Sequence, residues 1–139
     1  VRTASRLLAA GPFTVTAFET RSDAVVLTVH GEVDLFTAPL LRERLRERIR
    51  QAGPGLVVDL TAVRFFGVAG ITVLLDVRGV ALSANVGFRV VASTRTVLMP
   101  LQVTGVAGDF DLFPDIASAL AQPGSVHPVV PAQQIRSSA

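Results

Sequence analysis

The sequence predicts one α/β domain: a mixed sheet of four to five strands with an antiparallel start and about four helices packed on it, in the order ββαβαβαβα. Three observations carry this. Short apolar runs of strand character alternate with stretches of helical period. Gly, Pro and Asn punctuate the joins between them. And 139 residues, 50% hydrophobic and 17% charged, are enough for one core but too few for two ordinary domains.

Residues 1–12 and 122–139 show no periodicity, and the second stretch carries Pro123, Pro128 and Pro131, so both are expected to be tails around a domain spanning 13–121, the C-terminal one Pro-rich and flexible. Phe13–Phe18 reads as a half-buried strand by its period of two, and Ala24–Val29 as a more fully apolar one, joined by a turn at residues 20–23. Residues 31–36 lead into a helix with Thr37 as the expected N-cap and Pro39 tolerated in the first turn. On that helix Ala38, Leu41, Leu45, Ile49 and Ala52 form one stripe flanked by arginine stems, and residues 53–55 end it.

Leu56–Leu60 has the apolar character of a strand inside a covered sheet. A second helix is expected from about Ile71 to Ala84, a strand at Phe88–Val91, a third helix over Thr94–Val103 despite Pro100, a short strand at Phe110–Phe113, and a last helix from Pro114-Asp115 through Leu120. No charge-free stretch is apolar for the roughly 20 residues a bilayer span requires, so direct membrane insertion is not expected. Nor is a signal peptide: Leu7–Ala10 is too short and Gly11-Pro12 interrupts it.

All 13 basic residues are Arg, against 11 acidic ones, and Lys, Cys, Tyr and Trp are absent. The pI of about 10.9 reflects this lack of groups titrating between His and Arg, since the formal charge is only +2. Without Cys there are no disulfides or thiolate sites, which fits a reducing cytoplasm. With His30 and His127 as the only imidazoles, no catalytic triad, metal site or cofactor is expected. His30 reads as a partly buried structural residue. Glu32 and Asp34 read as capping residues of a turn rather than a paired acid and base.

Gly67-Val68-Ala69-Gly70 lies between a strand and a helix, where backbone N–H groups could hold an anion, but it matches neither phosphate-loop nor dinucleotide spacing. A tight turn that brings the helix close to the sheet is the better reading. The five arginines of the first helix fall on two sides of its seam, with two Glu and no interleaved aromatics, so nucleic acid is not an expected partner. In the second helix Ile71, Leu74, Leu75 and Leu82 form a core stripe, while Val73, Val77, Val80 and Ala84 lie opposite. A helix apolar on both sides is either deeply buried or covered by a partner. The preferred reading is a protein-binding patch.

Three runs together resemble the STAS domain family, which includes the anti-sigma factor antagonists of bacteria. They are Thr28-Val29-His30-Gly31-Glu32-Val33-Asp34-Leu35-Phe36-Thr37-Ala38; Val57-Val58-Asp59-Leu60-Thr61 leading to Phe65-Phe66-Gly67-Val68-Ala69-Gly70-Ile71; and Leu101-Gln102-Val103-Thr104-Gly105-Val106. The likeness runs from about Phe13 to Ala121. It implies a non-catalytic, cytoplasmic regulatory module. In the antagonists the domain binds an anti-sigma factor, a serine kinase of ATPase-like fold, and so frees the sigma factor.

In that family, phosphorylation of a Ser or Thr in an Asp-Ser-Ser-Gly-like motif at the start of the second helix ends binding, because a phosphate brings about −2 charge into the interface. Here the motif's Asp falls on Gly67, its acceptor on Val68 and its second hydroxyl on Ala69; only Gly70 is kept. The resemblance therefore implies an antagonist without the usual switch, Thr72 being the nearest hydroxyl that could substitute. Partner contacts are expected at Asp34, Thr37, Gly67, Val68, Ala69, Gly70, Thr72, Val73, Val77 and Val80. Two other readings are a STAS subunit of a membrane transport complex docked on an ATPase subunit, and a nucleotide-binding sensor. The expected oligomeric state is a monomer or weak dimer.

Overall fold

The computed structural model describes residues 12–20, 24–51 and 55–121. Apart from Pro12, the expected tails lie outside the described residues, as do residues 21–23 of the first turn and 52–54 after the first helix. The elements are β1 (Thr14–Glu19), β2 (Ala24–Val33), α1 (Ala38–Gln51), β3 (Gly55–Phe66), α2 (Val68–Ser83), β4 (Gly87–Val91), α3 (Arg95–Val103), a 3₁₀ turn at Ala107–Asp109, β5 (Asp111–Phe113) and α4 (Ile116–Leu120).

Five strands form one sheet in sequential order, β1 antiparallel to β2 and every later neighbour parallel. Crossovers of one hand that step steadily in one direction deliver their helices to one face of a sheet. Accordingly α1, α2 and α3 share a core with Val25, Leu27, Val29, Leu56, Val58, Leu60 and Val90. The other face is covered by α4, whose Ala119, Ile116 and Leu120 pack on Ala24, Val26, Val57 and Val91. Buried Arg89 donates from Nη1 to the Ala119 carbonyl oxygen at 2.6 Å and ties α4 to β4. Burial holds the Arg89 pKa below its ordinary value, with Asp111 opposing that shift. No helix among the described residues is long and apolar enough to cross a membrane.

Two central strands run further than the apolar runs suggest. β2 continues through Gly31-Glu32-Val33, and β3 through Arg64-Phe65-Phe66. Between the Thr28–Asp59 and Val33–Phe66 pairs, β2 advances five residues and β3 seven, so two irregularities insert two extra residues into β3. Gly31 sits at one of them with φ +101°, and a Cβ there would lie 3.0 Å from the Phe13 Cα and the Pro12 oxygen. His30, expected to be partly buried, is exposed because the ladder turns its side chain to the α4 face of the sheet at a point that α4 does not cover.

The largest correction concerns α2. Val73 and Val77, expected on an outer partner-binding face, are fully buried, and Val80 is half-buried against the same core. Leu75 and Leu82, expected in the core, are exposed, Leu82 by 61%. At 100° per residue the buried positions Gly70, Ile71, Val73, Leu74, Val77 and Ala81 occupy one broad arc. The arc is broad because α2 packs on α1, on α3 and on the sheet at once. Val68, Thr72, Leu75 and Leu82 form the outer stripe instead.

Candidate functional site: an apolar groove at the start of the second helix

The β2–α1 junction is held by a reciprocal pair of side-chain caps. Asp34 Oδ1 accepts the Phe36 N–H at 2.9 Å and the Thr37 N–H at 3.0 Å. Thr37 Oγ1 accepts the Asp34 N–H at 2.9 Å and donates to the Glu32 carbonyl oxygen at 2.7 Å. The Ala38 N–H reaches the Asp34 carbonyl oxygen at 2.8 Å, so helical bonding begins at Asp34. Asp34 thus performs the N-cap role expected of Thr37, and Thr37 returns the reciprocal bond in the manner of a capping box. The expected capping function of Asp34 is met, at a site that holds Leu35 and Phe36 outward, 78% and 88% exposed.

The β3–α2 junction is equally compact. The Gly67 N–H bonds the Val33 carbonyl oxygen at 3.0 Å, and Gly67 is the N-cap of α2, with no side chain capping the helix. Residues 68–70, expected as a turn, form the first helical turn itself. A Cβ on Gly70 would stand 2.7 Å from Phe66 Cε1 and 2.8 Å from Val33 Cγ1. Gly70 is therefore the close-approach position, as the tight-turn reading requires, and is buried beneath the site rather than part of its surface.

Between the two junctions lies a groove of about 720 Å³, bordered by Asp34, Leu35 and Phe36, by Ala38, Pro39 and Arg42 of α1, by Phe65, and by Gly67, Val68, Ala69 and Thr72. Its rim is apolar, with Val68 71% exposed. The Thr72 hydroxyl donates back to the Val68 carbonyl oxygen at 3.1 Å. Arg42 Nε and Arg46 Nη1 converge on Asp76 Oδ2 at 3.4 and 3.0 Å, cross-tying α1 to α2 beside the groove. At this exposure the tie contributes at most about 1 kcal/mol.

Of the residues expected at a partner site, the fold brings Asp34, Thr37, Gly67, Val68, Ala69 and Thr72 together at or beside this groove and directs Val73, Val77 and Val80 elsewhere. Sequence reading missed Leu35, Phe36, Phe65, Pro39 and Arg42. The available signal was the Asp-x-x-Thr spacing around two large apolar residues, which leaves those two in an exposed first helical turn.

A sequential mixed sheet with three helices on one face and one on the other is the architecture of a STAS regulatory domain, and the chain belongs to the STAS domain family, which it matches over residues 16–119. Among particular relatives, it is 35% identical over 95 residues to RsfB of Mycobacterium tuberculosis, an anti-sigma-F factor antagonist, covering 68% of this chain and 77% of that one. It is also similar to the crystal structure of an anti-sigma factor antagonist from Mycobacterium paratuberculosis, with TM-score 0.70 and 30% identity over 79% of this chain and 92% of the other. The phosphorylated form of SpoIIAA from Bacillus shares the fold, with TM-score 0.60 and 15% identity over 78% and 97% of the two chains.

Proposed function

We propose that this protein is a non-catalytic anti-sigma factor antagonist that works in the cytoplasm and binds an ATPase-fold anti-sigma factor through the groove at the start of α2. The observation that carries this reading is the groove itself: Leu35, Phe36, Phe65 and Val68 are large apolar side chains exposed together on two close-packed strand–helix junctions. Because the backbone that carries them is already fixed by hydrogen bonds at the two junctions, binding need not order it, which favours a protein partner. The likeness to an anti-sigma-F factor antagonist supports an anti-sigma factor as that partner.

The site carries no phospho-switch of the family kind. Val68 and Ala69 have no hydroxyl, and the hydroxyl of Thr72 is engaged with the helix backbone. Binding is then governed by the amounts of the two proteins. With an apolar rim in place of a phosphorylatable one, the complex gains buried area and loses the means of being dissolved by a kinase.

The test is co-purification of the tagged full chain from its native cell, with Phe36→Ala and Val68→Asp alongside. Recovery of an ATPase-fold anti-sigma factor with the wild type, and its loss with both variants at unchanged thermal stability, is expected. Recovery of a transporter ATPase subunit instead would replace this reading. Stoichiometric phosphate on the chain by intact mass after incubation with the recovered kinase would overturn the absence of a switch.

A further inference from the structure

The two edges of the sheet differ. β5 is three residues long, and a short strand is itself a protection against unwanted pairing. β1 is six residues long, Thr-Val-Thr-Ala-Phe-Glu, with no Pro, Lys or Arg, and no register irregularity against β2. Its residues are largely exposed, including Phe18 at 48%. Glu19 at its end is the one charge on the strand, and no Pro, Lys, Arg or bulge interrupts the rest of the edge.

The ladder shows which backbone groups are available. The Thr20 N–H bonds the Ala24 carbonyl oxygen at 3.0 Å, and Glu19 pairs with Val25, so Thr20 and Ala24 face each other as a hydrogen-bonded pair. Hydrogen-bonded and non-bonded pairs alternate along an antiparallel ladder. Phe18, Thr16 and Thr14 therefore direct their N–H and C=O groups at β2, whereas Val15, Ala17 and Glu19 direct theirs outward.

We infer that β1 pairs with β1 of a second copy about a two-fold axis at Ala17, joining two sheets into one of ten strands. On this axis Ala17 meets Ala17 of the second copy, and Val15 meets Glu19 on either side, so all three outward residues of each strand find bonded partners. An axis at Thr16 would bond only Val15 with Ala17 and leave Glu19 beyond the strand. The Ala17 register opposes no like charges, since each Glu19 faces a valine. On the other sheet face it sets Phe18 across from Thr16, an aromatic–β-branched pair of the kind that stabilises strand pairing.

The helix layer leaves room for this. Ala17 and Glu19 point to the helix face yet are exposed, so α1 does not overhang β1. β2 and its copy would be three strand spacings apart, about 14 Å, which exceeds the roughly 8–10 Å between packed helices. The groove at the start of α2 is left open, so pairing and partner binding are compatible. One six-residue strand per copy is a small contact beside the ~1,200–2,000 Å² of stable interfaces, so the dimer forms only at high concentration.

The chain has no cysteine, so one introduced at the axis reports the contact directly. Ala17→Cys places two Cα atoms about 5.5 Å apart, within disulfide range. Under mild oxidation the full chain carrying Ala17→Cys should form a disulfide dimer, and Val103→Cys, exposed on α3, should not. Sedimentation of the wild type from about 10 µM to about 1 mM, a range that brackets weak association, should show the average mass rise toward two chains. Phe18→Lys and, independently, Thr16→Lys should hold it at one chain with thermal stability unchanged. A wild type that stays one chain throughout, or equal cross-linking of the two cysteine variants, would overturn the proposal.

Discussion

Truncating Val77 and truncating Leu82 should have opposite rank to the one their sequence stripes imply. Val77 is fully buried between α2 and the rest of the core, so Val77→Ala removes two carbons from a packed site. Their transfer is worth about 0.8 kcal/mol each, and the unfilled space adds about another 1 kcal/mol. Alanine's better helix propensity returns roughly 0.5 kcal/mol, leaving a net loss of about 2 kcal/mol. For a domain of this size that lowers the melting temperature by roughly 7–9 °C. Leu82 is 61% exposed, and Leu82→Ala should stay within about 0.5 kcal/mol. Urea and thermal unfolding of the two variants, followed by circular dichroism, measure both quantities. If Leu82→Ala costs more than Val77→Ala, the buried arc of α2 is misassigned and the groove's borders with it.

Gly70→Ala should lower stability although alanine favours helix, because its Cβ would stand 2.7 Å from Phe66 Cε1. Overpacking of about 1–3 kcal/mol exceeds the propensity gain of about 1 kcal/mol, which a shifted urea midpoint at unchanged slope would record. Asp34→Ala removes the acceptor for the Phe36 and Thr37 N–H groups, so about 1 kcal/mol of stability should be lost. Partner affinity should fall with it, as Leu35 and Phe36 lose their preset position, and Asp34→Asn should restore most of both. Asp115 accepts the Ser118 N–H at the start of α4, which holds its carboxyl below the ordinary 3.8. A depressed carboxyl supports the fold above its unfolded pKa and loses that support as pH falls through the folded value. The Ser118 amide resonance should therefore titrate with a midpoint below 3.8, and Asp115→Asn should abolish the titration.

The sheet and helices were legible because their signals are local. Alternation in β1, the seam Ala38-Leu41-Leu45-Ile49 and the Pro114-Asp115 start of the last helix each depend on residues a few positions apart. The family motifs were legible for the same reason, and they pointed to the start of α2, beside which the groove lies. What failed was any judgement needing a third element. Residues 31–33 and 64–66 continue the strands because β2 and β3 pair along their whole length, and neither run alone records that partner.

Composition, periodicity and spacing thus determine that this chain forms a mixed sheet with helices packed on it, and the resemblance to the STAS family implies that Val68 falls where that family carries its phosphorylated hydroxyl. Which arc of α2 is buried, and that Leu35 and Phe36 are exposed beside the groove, only the tertiary structure decides. A helix apolar on opposite sides satisfies its own pattern in two orientations. The choice is made by α1, α3 and the sheet, which together bury Ile71 and Leu74 along with Val73, Val77 and Ala81.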